Sequence, residues 1–135
     1  MADWDGAGME QMMPLAKTLG ITFQSTERDL VHARIGWAEH LCTAGGVLHG
    51  GVLMALADTT GAACAFLNLP EGASGTTTIE SKTNFLRAVR DGHVDAKSTP
   101  LHVGRTVIVV DTELRDEHGR LVARVTQSQL VLTAG

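Results

Sequence analysis

The sequence is short of the residues that staple, stack or carry positive charge. Its 135 residues include two cysteines, three prolines, three phenylalanines, two tryptophans and no tyrosine. Cys42 and Cys64 stand apart with no CxxC pairing, which argues against a disulfide framework or a zinc knuckle. The six histidines, at 32, 40, 49, 93, 102 and 118, form no HxxxH or HExxH pair, so no metal site is expected. Eleven lysines and arginines against 15 acidic residues leave a formal net charge of -4, which gives no reason to expect nucleic acid as a partner. No secretory leader is read ahead of the cysteines, and a reduced, cytoplasmic setting is expected. Aromatics at 4% hint at aliphatic pocket walls without deciding what those walls enclose.

What is present suffices for one core. The length suits a single domain, residues 1–135, with "MADWDGAG" at 1–8 read as an arm because it lacks periodicity. "MEQMMPLAKTLG" spaces Met9, Met12, Met13, Ala16 and Leu19 as a helix does, and Pro14 predicts a kink in it. "GITFQST" and "DLVHARIGW" read as extended, with Val31, Ala33, Ile35 and Trp37 on one face. After residue 75 the pattern has period two through "TTTIESKTNFLRAV", "HVDAKSTPLHV", "RTVIVVDTELRD" and "RLVARVTQSQLVLT", which predicts an antiparallel meander. "RDG" at 90–92 and "DEHG" at 116–119 have the composition of tight turns, whereas the connection near Val103-Gly104-Arg105 is less obviously a hairpin.

Between these halves, "LHGGVLMALADTTGAACAF" at 48–66 reads as a helix that is apolar nearly all the way round. It passes for a membrane span only until Asp58, Thr59, Thr60 and its glycines are counted, and sheet-like sequence follows it. One oily helix and five or six strands satisfy each other if the sheet curls round the helix, giving a two-layer α+β domain. Small residues at Ala55, Ala57, Gly61, Ala62, Ala63 and Ala65 are expected to permit that close approach, and Cys64 to pack in the core.

Two features of the helix do not serve packing. It opens on His49-Gly50-Gly51, where unpaired N–H groups and a partial positive charge let a ligand oxygen approach the backbone, making Gly50 a candidate oxyanion donor. It also carries Asp58, an acid expected to be buried. Eight residues separate them, about 12 Å along the axis at 1.5 Å per residue. One small reacting group cannot touch both, so a shared site requires the helix start of one subunit and the acid of another, with the helices antiparallel across a twofold axis.

"GGVLHGGVLMALADTTGAACAF" resembles the HGG-x6-D segment of hotdog-fold thioesterases, in particular the phenylacetate-degradation (PaaI-like) and 4-hydroxybenzoyl-CoA types. The resemblance runs from about residue 20 to 133, through "TNFLRAVRDG" and "HVGRTVIVVDTELRDEHGRLVARV". It implies a long central helix wrapped by a five- or six-stranded antiparallel sheet, edge-to-edge dimers that often pair into tetramers, and an acyl-CoA substrate with no further cofactor. Carried over, it makes Asp58 the carboxylate that attacks the thioester carbonyl or activates water, and Gly50 the N–H that polarises that carbonyl, with His49 beside it. The family commonly has Asn or Gln fifteen residues before the acid, and Thr43 stands there. A hydroxyl after the helix assists in related enzymes: counting back from Phe85 favours Thr78, counting forward from Asp58 favours Thr77. Coenzyme A is expected to meet backbone and basic groups at Gly51, Arg87, Arg90, Gly104, Arg105 and Thr106, with Lys82 and Lys97 as weaker candidates. Thr59 and Thr43 are candidate hydrogen-bond partners for the acid.

Two rivals use the same fold: an acyl-thioester dehydratase, for which His49 and Asp58 form a conceivable proton-moving pair, and a non-catalytic acyl-CoA-binding module. Cys42 near His40 or His49 is a weak thiol-nucleophile candidate, because no strand-to-helix elbow surrounds it.

Overall fold

The structure is a computed structural model that describes residues 6–133. Two short helices come first, α1 (Gly6–Met12) and α2 (Pro14–Leu19). Pro14 takes the first position of α2, where its missing N–H leaves no bond unmade, so the expected kink is instead a break at Met13. The expected arm lies outside the described residues up to position 5. Residues 6–8 belong to α1, which the buried Met9 pins to the body of the protein.

The strands are β1 (Thr22–Glu27), β2 (Leu30–Gly36), β3 (Ala73–Phe85), β4 (His93–Val103), β5 (Val107–Asp116) and β6 (Leu121–Thr133), and the long helix between β2 and β3 is α3 (Gly50–Leu67). They form one antiparallel sheet in the order β1-β2-β4-β5-β6-β3. The expected four-strand meander is therefore corrected. β4, β5 and β6 follow one another, but β3 pairs with β6 along most of its length, from Ala73 opposite Thr133 to Phe85 opposite Ala123. The chain must then cross to β4, so "RDG" ends a crossover rather than a hairpin. Along that crossover Leu86 and Arg87 donate to the Val122 carbonyl, and Val89 accepts from Leu48. The β4–β5 connection is a hairpin after all, closed by the Gly104 N–H on the Val107 carbonyl at 2.9 Å.

The sheet wraps one side of α3. Leu53, Leu56, Ala57, Thr60, Gly61 and Cys64 turn inward against the buried strand residues Val94, Ile108, Val110 and Leu114. Ala57, Gly61, Ala63 and Ala65 are buried, Ala63 beside the methionines of the N-terminal helices, whereas Ala55 and Ala62 are only half-buried. They border an uncovered stripe in which Gly51, Met54 and Asp58 are exposed, because the sheet of one chain ends at β3.

Candidate active site

The helix start is built by its cap. His49 has extended backbone torsions, and its ring Nδ1 accepts the Gly51 N–H at 2.8 Å, closing the first turn. This uses the Gly51 amide, so of the two glycines expected to meet the substrate through backbone N–H groups only Gly50 retains its donor. The Gly50 N–H has no acceptor among the described residues, as the first amide of a helix requires when nothing caps it. The absence of a side chain there is also steric, since a Cβ would sit 3.2 Å from Cζ of Phe85. Around Gly50 lies an open cleft of about 390 Å³ whose walls include Thr43, Leu53, Phe85 and Arg87. Thr43 thus belongs with Gly50, not with Asp58 of its own chain. Arg90 stands near the same loop and donates to the Gly45 carbonyl at 3.2 Å.

Asp58 lies two turns further along and, contrary to the expectation of a buried acid, is exposed within the single chain. The reason is the uncovered stripe: no strand of its own sheet lies over this face. Its partner is settled by β3. Thr78 Oγ1 donates to Asp58 Oδ1 at 2.7 Å, while Thr77 turns outward and is exposed. Neither Thr59 nor Thr43 bonds the acid. A β-bulge between Thr78 and Glu80 lets both Thr78 and Ser81 face the helix, with Ile79 sent outward at 57% exposure. Thr78 and Ser81 line a second cleft of about 380 Å³ with Leu15, Gly51, Met54 and Asp58.

Two residues not anticipated from sequence join the acid. Gln127 Nε2 lies 3.4 Å from Asp58 Oδ1, and Gln129 Nε2 donates to Thr78 Oγ1 at 2.6 Å. Both glutamines are fully buried on the inner face of β6. Alternation along "RLVARVTQSQLVLT" places them on the same face as Ala123 and Val125, and two amides where a core-facing strand calls for apolar residues are a readable signal. Below this cleft, Met9, Met12 and Met13 meet Ala62 and Phe66 around a further apolar cavity of about 220 Å³, one helical turn beyond Asp58.

The remaining candidates read from the sequence fall elsewhere. Gly104, Arg105 and Thr106 form the β4–β5 turn, at the sheet end where Val107 pairs with Leu130 and Leu130 with Thr77, far in register from Arg87 and Phe85. Lys82 and Lys97 are exposed. Cys42 donates its thiol to the Ala38 carbonyl at 3.3 Å and meets no histidine, and burial, aided by Asp29, pushes the Cys64 thiol up to about 12. Among the described residues no three His, Cys, Asp or Glu side chains are placed to hold a metal ion. A separate charged cluster lies on the outer sheet face, where Asp95 accepts from Arg34 Nε at 2.8 Å and His32 Nε2 at 2.6 Å. Partial burial works against its charge, but these hydrogen bonds prevail and hold the Asp95 carboxyl below the usual range.

A helix wrapped by a six-stranded antiparallel sheet, with a free amide at the helix start and a hydrogen-bonded carboxylate on its open face, defines a hotdog-fold hydrolase. Comparison with known proteins agrees. Residues 45–123 match the thioesterase superfamily. A Haemophilus influenzae protein named "Putative esterase" is 36% identical over 116 residues, covering 84% of this chain and 83% of that one. The crystal structure of thioesterase HI1161 from Haemophilus influenzae superposes with a TM-score of 0.91 at 29% identity, over 98% of this chain and 93% of that one. A mutant of thioesterase PA1618 from Pseudomonas aeruginosa has the same fold, with a TM-score of 0.92 at 24% identity over 98% and 97% of the two chains. The chain belongs to the thioesterase superfamily and is a thioester hydrolase.

Proposed function

We propose that the protein hydrolyses acyl-CoA thioesters at sites shared between two copies. The observation that carries this reading is the division of the chemistry between two clefts of one chain. One cleft holds the unpaired Gly50 amide and the other the Asp58–Thr78 pair, too far apart to serve one carbonyl. Antiparallel pairing of two β3 edges about Ser81 and Lys82 sets Thr78 of one copy opposite Phe85 of the other. It thereby brings Gly50, which packs on Phe85, toward Asp58.

In the joined site the Gly50 N–H draws charge onto the thioester oxygen, while Asp58 attacks the carbonyl carbon or takes a proton from the attacking water. The C–S bond breaks and the thiolate leaves, taking up a proton to give free coenzyme A and the acid. Water is the only co-reactant. Arg87 and Arg90 from one copy and the Gly104-Arg105-Thr106 turn of the other border the mouth and suit the phosphates of the nucleotide. The methionine-lined cavity beside Asp58 suits an apolar acyl group of modest size, aryl or short to medium chain. Two free cysteines fit a reducing, cytoplasmic setting.

A thiol-release screen over aryl-, short- and medium-chain acyl-CoAs tests the reading, run beside Asp58→Asn. Turnover of at least one class is expected, reduced in the variant by at least about 100-fold, the lower range for a lost acid–base group. Enoyl product from 3-hydroxyacyl-CoA without thiol release would make the protein a dehydratase. That outcome is disfavoured by His49, whose Nδ1 is committed to the Gly51 amide.

A further inference from the structure

We infer that Gln127 and Gln129 are positioning residues that hold Asp58 in one orientation, Gln129 through Thr78 and Gln127 directly. The inference rests on the reading of Asp58 as the reacting carboxylate and adds the groups that aim it.

The direction of each hydrogen bond follows from donor chemistry. Gln129 donates an amide N–H to Thr78 Oγ1 at 2.6 Å, so the hydroxyl's own proton is free to point elsewhere, and the acceptor in reach is Asp58 Oδ1 at 2.7 Å. Gln127 presents its amide N–H to the same oxygen at 3.4 Å. Both donors address Oδ1, and Oδ2 takes no hydrogen bond from the described residues. One carboxylate oxygen is thus tethered to the sheet and its twin is presented to the cleft. On this open helix face the hydrogen bonds from Thr78 and Gln127 are the ones that restrain the carboxylate among the described residues.

The core gives up packing to keep this arrangement. Gln127 and Gln129 are 0% and 1% exposed, and the side-chain carbonyl of each has no partner among the described residues. A buried amide that satisfies only one end is a poor structural choice where Val or Leu would pack dry. Gly61 shows the same priority, one turn beyond Asp58 on the helix. A Cβ there would lie 2.5 Å from Gln127 Oε1 and 2.6 Å from its Cδ, so α3 leaves a notch through which the glutamine passes. Amide, notch and acid form one device.

The test compares Gln127→Met and Gln129→Met, which keep volume and remove the donor, with Thr78→Val, Asp58→Asn and the double variant Thr78→Val/Gln129→Met. Readouts are kcat and KM on the best acyl-CoA and Tm by circular dichroism. The expected result is a kcat loss in the Gln129 variant of about 10- to 100-fold, the scale of misplacing a reacting group by about 1 Å, with KM unchanged. Tm should be unchanged or higher, since an unpaired buried carbonyl is removed. The double variant should be no slower than Thr78→Val alone, because Gln129 acts only through that hydroxyl. Normal kcat in both glutamine variants, a loss of Tm with normal kcat in the folded protein, or additive losses in the double variant would each overturn the proposal while leaving Asp58 in its role. Full activity in Asp58→Asn would overturn the parent reading and this one with it.

Discussion

A single amide decides how the helix start is judged. The Gly50 N–H has no acceptor among the described residues, and His49, at φ -63 and ψ 134, already has the extended torsions that a residue before proline must adopt. Gly50→Pro is therefore compatible with the backbone and deletes the donor, since proline is welcome at the first helical position. Gly50→Ala places the same Cβ 3.2 Å from the Phe85 ring but keeps the N–H, and Phe85, half exposed at 51%, can move aside by the few tenths of an ångström needed. If the amide stabilises the oxyanion, the proline variant should lose about 100- to 1000-fold in thiol-release kcat. The alanine variant should stay within a few-fold, the loss expected of a small adjustment. Equal activities in the two variants would reduce Gly50 to a fitted turn residue. At this scale the sequence is informative about Gly50 and Asp58, because each breaks a local rule: a poor helix former in the first turn and an acid in an oily run. Gln127 and Gln129 break the alternation rule in the same way, but a polar residue in a strand declares itself only once the inner face is known.

At the scale of elements, the bulge in β3 decides between Thr77 and Thr78, bringing Thr78 to Asp58. Thr78 and Phe85 are seven residues apart, and strict alternation would send them to opposite faces. One extra residue at Ile79 restores both to the helix side, and a bulge of this kind leaves no mark that period-two reading can detect. The strand order is hidden for a related reason. Consecutive strands pair in most sheets, and what sends β3 to β6 is the crossover over the start of α3, a tertiary contact. In the β2–β4 pair opposite charges meet at matched positions, with Arg34 opposite Asp95 in the register. Asp95 also accepts from His32, and its carboxyl is held below the unfolded value of about 3.9. A depressed folded value means that the charged form is favoured by folding, so the stabilisation is full above about pH 4 and fades as pH falls through the lowered folded value. Asp95→Asn should accordingly melt below the parent protein near pH 6. The gap should narrow steadily below about pH 4 in thermal scans across that range. A gap independent of pH would assign the loss to packing instead of to the charge.

For the whole molecule, the two clefts, the bare β3 edge and the uncovered stripe of α3 point the same way. β3 offers thirteen residues of unpaired backbone edge flanked by Ile79, Phe85 and Leu86, each more than half exposed, a combination that folded chains rarely leave uncovered. α3 is apolar enough to cross a bilayer by composition, yet only half of its residues are buried within the single chain. In the proposed dimer a second copy laid antiparallel along β3 would cover both surfaces, and by the same motion would join the Gly50 cleft of each chain to the Asp58 cleft of the other. That coupling can be tested by counting sites. Asp58→Asn chains keep a good helix start and Gly50→Pro chains keep a good acid, and each is expected to be nearly inactive alone. Co-refolded in equal amounts, half of the dimers are mixed. Each mixed dimer holds one site with both good parts and one with both parts damaged, so about a quarter of the parental activity should return. If each chain carried a complete site of its own, mixing would restore nothing, because no reassortment of chains can repair a defect that lies wholly within each.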